Sequence, residues 1–435
     1  MNTSKHLTYT EYLKAIIPNI LVHISSLLVK VVELGMMGKL LSPAYIAGYG
    51  ISKAIFNTVD WGLTFLRVSV MTESEKAYGT KDSKAQVETL LQHVMCMFLI
   101  GWIIIFMKEN LWDIVMGFYK LEAEVVAKGY IYYKVCVWSL PIALANYVIL
   151  GWFFGRGEKI AIILDAACNM IHVILCYILV TKMNLNIAGI ALARCCTQMV
   201  LFISCISVFL IKERALYRYI KEIRLWSLRG LLDRLKDHLD VLERMGYSCL
   251  ITHMMLIASS GIGTNILAAN IIILQFRDVM AYFFDAIATT IRGYAVKLVQ
   301  NQKMEMLREM HNMTVRTTMF LGIGFVIMYQ IGRTFMTCCM TNLSEVKHAV
   351  WSYDGWLSIY PIVAGWGLTA NGIYKGLMKK RELNQSLAVS FIVFIISYVI
   401  FLPLDGNHGL WLAFNSFYFT RSLSLLTYES YLYDE

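Results

Sequence analysis

The sequence predicts an all-α integral membrane protein of about twelve transmembrane helices in two six-helix lobes, related by a pseudo-two-fold axis along the membrane normal. Three observations predict it. They are an apolar surplus spread over the whole chain, a series of apolar runs of spanning length, and a weak repeat of the first half in the second.

The surplus comes first. Of 435 residues, 58% are apolar and 16% charged, and mean hydropathy is +0.57. A soluble domain carries about 45–50% apolar and about 25% charged residues, so this composition has no water-soluble outlet. The 5 prolines and 28 glycines exclude a collagenous or low-complexity chain. The 10 cysteines show no CxxC and sit mostly in apolar runs, where thiols pack as small hydrophobes; no metal or disulfide framework is expected. A net charge of +9 raises the question of nucleic acid, but the basic residues are divided among several short loops, which argues against such a partner. The first apolar run, Tyr12 to Met37, is too long for a secretory h-region and lacks a small-x-small cleavage site.

The apolar runs lie near 12–38, 44–70, 91–107, 125–154, 160–181, 187–211, 239–259, 264–291, 315–337, 351–377, 385–404 and 409–430. Each is near or above the ~20 residues that cross a bilayer as helix. Helix is required because lipid offers no partner to an open strand edge. Pro18, Pro141 and Pro361 fall inside such runs and are read as kink positions.

Loop charge sets the orientation. Loops after even-numbered runs carry Lys76, Lys81 and Lys84; Arg156 and Lys159; Lys297, Lys303 and Arg308; and Lys379, Lys380 and Arg381. Loops after odd-numbered runs offer little beyond Lys39, Lys108, Lys120, Lys182 and Lys347. The positive-inside rule then puts both termini and a basic linker, 212–236, in the cytoplasm, as for a multi-pass protein of the inner membrane. The linker divides an N-terminal lobe, 1–211, from a C-terminal lobe, 237–435.

The repeat has an offset of about 220 residues. Pro141 followed by Gly151-x-x-x-Gly155 returns as Pro361 followed by Gly372-x-x-x-Gly376; Gly189 and Gly409 open matching strings; Phe56 matches Phe276. Six helices per half give both halves one orientation in the bilayer. That is a common construction for an alternating-access transporter, with substrate between the lobes or inside one.

The local strings resemble a multidrug and toxic compound extrusion (MATE) transporter of the DinF-like branch. Ala15-Ile-Ile-Pro18 resembles the opening helix, and Ala77-Tyr-Gly-Thr-Lys-Asp82 the loop after the second. Leu140 to Arg156 is similar to the fourth-helix signature, Leu267-Ala-Ala-Asn270 to the eighth helix, and Gly406 to Phe414 to the start of the last. The resemblance implies export of organic compounds against inward H⁺ or Na⁺. It departs from the family where the ion chemistry belongs. The first helix has Glu33 where the family has aspartate. The fifth reads Asn169-Met-Ile-His172-Val-Ile-Leu-Cys176, with His172 and Cys176 replacing an asparagine and an aspartate. In the eighth helix Asp285 matches but Arg292 replaces a glutamate, and Asn371 stands for aspartate in the tenth.

An ionisable side chain near mid-bilayer costs about 2.5–3.5 kcal/mol on insertion scales, so each asks for a partner or a purpose. Glu33 is the leading coupling candidate; the plainer reading is a static pair with Lys30 one turn away. For His172, spacing alone favours a packed histidine, while the resemblance raises a titrating one. Asn169, with Asp165 one turn before it, completes the candidate set on that helix. Asp278, Asp285 and Arg292 form a stripe of seven-residue spacing, either a cation subsite or a structural network. Asp60 and Arg67 share that spacing and that ambiguity. Trp152, Phe153 and Phe154 are expected at lipid or the interface.

The expected function is an antiporter exporting organic, cationic or amphipathic compounds for H⁺, with Na⁺ the lesser alternative, acting as a monomer without a cofactor. A flippase of lipid-linked precursors or an uncoupled facilitator is the competing reading, kept open by the replaced acids. No HExxH, phosphate-cradling glycine loop or nucleophile beside paired carboxylates points to an enzyme.

Overall fold

The computed structural model describes residues 8–212, 236 and 239–429, and among them there is helix and connecting turn but no strand. The basic linker therefore lies outside the described residues except near its ends. α1 (Tyr9–Met37) begins with a reciprocal cap. Thr8 Oγ1 accepts from the Glu11 amide at 3.4 Å, and Glu11 Oε2 accepts from the Thr8 amide at 3.2 Å. The helix continues through Pro18, whose side chain is outside the described ones.

The second apolar run is not one helix. α2 (Pro43–Gly62) and α3 (Thr64–Gly79) meet at Leu63, with φ −100° and ψ 3°. This breaks the predicted Asp60–Arg67 stripe, since spacing of seven aligns side chains only along one continuous helix. α4 (Ser83–Phe106) is capped by Asp82, whose carboxylate accepts from the Ala85 amide at 3.0 Å. The short α5 (Lys108–Met116) leads to α6 (Ala123–Cys136), and a 3₁₀ turn at Val137–Ser139 separates it from α7 (Leu140–Gly155). Pro141 sits in the first turn of α7, where its missing N–H costs nothing, so the kink falls just before it.

α8 (Ile160–Tyr177) ends in a π turn, Ile178–Lys182, before α9 (Asn186–Lys212). Then come α10 (Leu239–Ile262), α11 (Thr264–Gln300), α12 (Met304–Met340), the short α13 (Ser344–Tyr353), and α14 (Gly355–Gly376) containing Pro361. α15 (Lys380–Glu429) joins the last two apolar runs and breaks at Asp405 and Gly406. Gly406 has φ 53° and ψ −123°, a backbone conformation that side chains disfavour.

By length and composition, eight helical stretches among the described residues can cross a membrane. The first, second and tenth predicted runs fall short of that standard. The first carries Lys14, Lys30 and Glu33, and the second Lys53, Asp60 and Arg67. Their polarity is the interest of these helices, since charge kept inside a spanning element marks function by default.

The chain packs as two units, Met1–Pro43 with Leu250–Glu435, and Ala44–Cys249. In this packing α1 falls with the C-terminal helices, whereas chain order alone divides 1–211 from 237–435. Its polar residues find partners on the C-terminal helices: Asn19 Nδ2 donates to Thr290 Oγ1 at 2.8 Å, and Tyr12 Oη to Thr314 Oγ1 at 3.2 Å. Tyr12 and Ile16 join a core with Ile291, Met310 and Tyr374. Each of these bonds spares a buried polar group the cost of being left unpaired.

In the other unit the core is aromatic. Tyr132 meets Tyr49 edge-on at 5.3 Å and Phe56 at 6.2 Å. Trp152 and Phe153 are fully buried, contrary to the expected lipid position, because Trp152 Nε1 reaches the Gln86 carbonyl at 3.0 Å.

The repeat recurs in the packing of each unit. A Cβ on Gly151 would lie 3.0 Å from Val70 Cγ1, and one on Gly155 3.0 Å from Ser74 Cβ, so α7 crosses α3 closely. A Cβ on Gly376 would lie 2.5 Å from Ala295 Cβ, and one on Gly372 would collide with the Ala288 carbonyl, so α14 crosses α11 in the same way.

Candidate functional site

The predicted residues fall into two groups, one in each unit. In Ala44–Cys249, α3, α7 and α8 bring together Arg67, Tyr147, Asp165 and Asn169. The Arg67 guanidinium lies 4.5 Å from the Tyr147 ring centroid and 5.8 Å from that of Phe154. Arg67 is the cation acting on Asp165, and Asn169 Nδ2 donates to Asp165 Oδ2 at 3.5 Å. Asp60 is half-buried at the end of α2, where its carbonyl accepts from Thr64 Oγ1 at 3.0 Å.

His172 is buried and held on both ring nitrogens. Nδ1 is 3.3 Å from Thr197 Oγ1, and Nε2 is 3.2 Å from Cys176 Sγ. Thr197 Oγ1 in turn donates to the Ala193 carbonyl at 2.7 Å. The helix-face pairing of His172 with Cys176 is thus as spaced, and the imidazole is a packed bridge between α8 and α9.

In the other unit, α1 and α11 carry the charges. Glu33 is 1% exposed. Lys30, one turn earlier, is not devoted to it. The Lys30 ammonium donates to Tyr282 Oη and lies 4.7 Å from the centre of that ring. Asp278 also pairs with Arg277, Oδ1 to Nη2 at 3.1 Å. Asp285 and Arg292 lie two turns apart on α11, both exposed. Asn371 accepts at Oδ1 from Arg421 Nη2 at 2.7 Å, so an amide–guanidinium contact occupies the tenth-helix position. Among the described residues no three His, Cys, Asp or Glu side chains gather as a metal site would require.

Three participants escaped the sequence reading. Arg277 is surrounded by aromatic rings, Tyr282 holds Lys30, and Arg421 meets Asn371. Arg277 and Arg421 each gave a signal, an arginine inside an apolar run. Tyr282 gave none, since one tyrosine among 25 carries no positional information.

The MatE family profile matches residues 16–178. DNA damage-inducible protein F of Escherichia coli (strain K12) is 24% identical over 412 residues, covering 94% of this chain and 89% of that protein. A solved structure described as the inward-facing conformation of a multidrug resistance MATE family transporter of the MOP superfamily matches with TM-score 0.79 at 14% identity, over 94% of each chain. A MOP superfamily transporter from Pyrococcus furiosus, described as having a binding pocket of reversed polarity that suggests a different function, matches with TM-score 0.70 at 14% identity, over 98% of this chain and 97% of that one. At such identity the likeness is one of fold, a twelve-helix, two-lobe fold.

Proposed function

We propose that this chain is a transporter of the MATE family, an antiporter exporting organic, cationic or amphipathic compounds in exchange for protons by alternating access. The observation that carries the proposal is the burial of Glu33 on α1, an acid inside an apolar helix. A static Glu33–Lys30 pair would leave the carboxylate nothing to do. Buried on α1, Glu33 is placed to take and yield a proton. A carboxylate in an apolar setting is cheapest when neutral and demands polar company when ionised, so protonation changes what α1 packs against. That difference between two protonation states is the differential interaction coupling requires.

The choice of proton over Na⁺ rests on ligand chemistry. A hard cation wants several oxygen ligands. His172 and Cys176 supply nitrogen and sulfur where the family supplies oxygens, and they are spent on each other and on Thr197.

The second reading is a flippase of lipid-linked precursors or an uncoupled facilitator. It is supported by the arginines and lysine inside the helices, Lys30, Arg67, Arg277 and Arg421, which suit an acidic head group. One measurement separates the readings: efflux of a labelled organic cation from proteoliposomes under separately imposed pH and Na⁺ gradients. Efflux driven by the pH gradient alone is expected. Efflux driven by Na⁺ at clamped pH, with no response to pH, overturns the proton assignment.

A further inference from the structure

Arg277 occupies a cage built from two other helices. Its guanidinium lies 5.4 Å from the Phe414 ring centre, and Nη1 donates to Tyr418 Oη at a long 3.4 Å. Tyr418 meets Phe414 at 5.1 Å and Tyr360 edge-on at 5.0 Å, and Tyr360 stacks on Phe414 at 6.3 Å. One ring face, that of Phe414, and one phenol, that of Tyr418, thus meet the cation from α11, and Tyr360 of α14 packs against both rings. Such cages are how proteins recognise organic cations in general.

The occupant is loosely held. A guanidinium has five donors in a fixed fork. Here one reaches Asp278, one reaches Tyr418 at the edge of bonding distance, and Nε is buried with no hydrogen-bond partner. The Asp278 pair is between neighbours in sequence, whose side chains leave a helix about 100° apart and do not face each other. It therefore ties α11 to no other helix. Asp278 keeps about a third of its side-chain surface exposed (34%), against 15% for Arg277.

We propose that the Phe414–Tyr418–Tyr360 cage with Asp278 is a binding subsite for a flat, delocalised organic cation, and that Arg277 is its tethered competitor. Cargo enters the cage by displacing the guanidinium and takes over Asp278 as counter-ion. Arg277 returns when cargo leaves and renews its pair with Asp278. Arg277 thereby sets specificity: a cation binds only if its contact with the rings exceeds that of the residue it evicts. The inference deepens the export reading and rests on it for the identification of the ligand as cargo.

The test is a fluorescence titration of the full-length protein in nanodiscs with ethidium, a planar delocalised cation, with no gradient present. Arg277→Ala is expected to tighten ethidium binding about tenfold, the order of one desolvated cation–π contact. Millimolar guanidinium chloride should then compete with ethidium in that variant far more than in the wild type. Adding Phe414→Ala or Asp278→Asn to Arg277→Ala should remove the gain. Arg277→Met, which keeps the apolar stem, should reproduce the tightening if the alanine variant fails to fold. Unchanged or weaker binding in a folded Arg277 variant overturns the proposal, as does a gain that survives Phe414→Ala. Loss of folding in both the alanine and methionine variants also overturns it, by making Arg277 a structural strut. Tightened binding together with absent gradient-driven efflux would sink the export reading and leave the cage standing; efflux with unchanged affinity would do the reverse.

Discussion

Gly101 on α4 faces Pro141 on α7 so closely that a Cβ on the glycine would lie 2.5 Å from the proline Cα. About 220 residues later the contact recurs, with a Cβ on Gly322 of α12 falling 3.1 Å from the Pro361 carbonyl oxygen. Both prolines lie where the helix departs from regular bonding, and both glycines let a neighbouring backbone pass at that point.

The two contacts differ in tolerance. Gly101→Val is expected to destabilise the protein by about 1–3 kcal/mol, since the clash is with proline backbone that cannot rotate away. Gly322→Ala needs a shift of only a few tenths of an ångström and should cost less. Thermal unfolding followed by size-exclusion fluorescence checks the order; equal tolerance at both positions would contradict it.

Glu33→Gln is expected to abolish pH-gradient-driven efflux while leaving expression and helical content intact. The amide keeps the shape of a protonated carboxyl and removes the ability to cycle. Lys30→Ala should lower stability by loosening α1 from Tyr282, with gradient-driven efflux reduced in proportion. Efflux unchanged in Glu33→Gln across several pH values would return Glu33 to a structural role.

His172→Asn is expected to keep the pH profile of efflux and to lower thermal stability, because the ring bridges Thr197 and Cys176. Losing one such buried partner costs about 1–3 kcal/mol. A flattened pH profile in a variant of normal stability would make His172 a coupling group instead.

Topology is open to a direct check. Reporter fusions after Lys84, within the 213–229 segment and after Arg381 are all expected to read cytoplasmic, given the basic loops. An external reading at any of the three would refute the orientation assigned from loop charge.

The apolar runs and the half-length repeat were legible because helix in lipid is dictated by composition, and because crossing points demand glycine whatever else varies. Glu33, Asn169, Asp165 and Asn371 were legible as polar residues in apolar runs. Of their company, only the Asp165–Asn169 turn was. Hydropathy measures each residue against lipid alone, so it ran α2 and α3 together across Leu63 and placed Trp152 at the interface.

The sequence by itself determined the class, the helices and the residues that need an explanation, since those follow from transfer energies and backbone bonding summed along the chain. Only tertiary structure decided that α1 docks on the C-terminal helices, that Lys30 turns to Tyr282, and that Arg277 sits among Phe414, Tyr418 and Tyr360. Each of those depends on a partner more than a hundred residues away. A buried charge takes whichever partner the packing brings within about 4 Å, and sequence spacing carries no record of that distance.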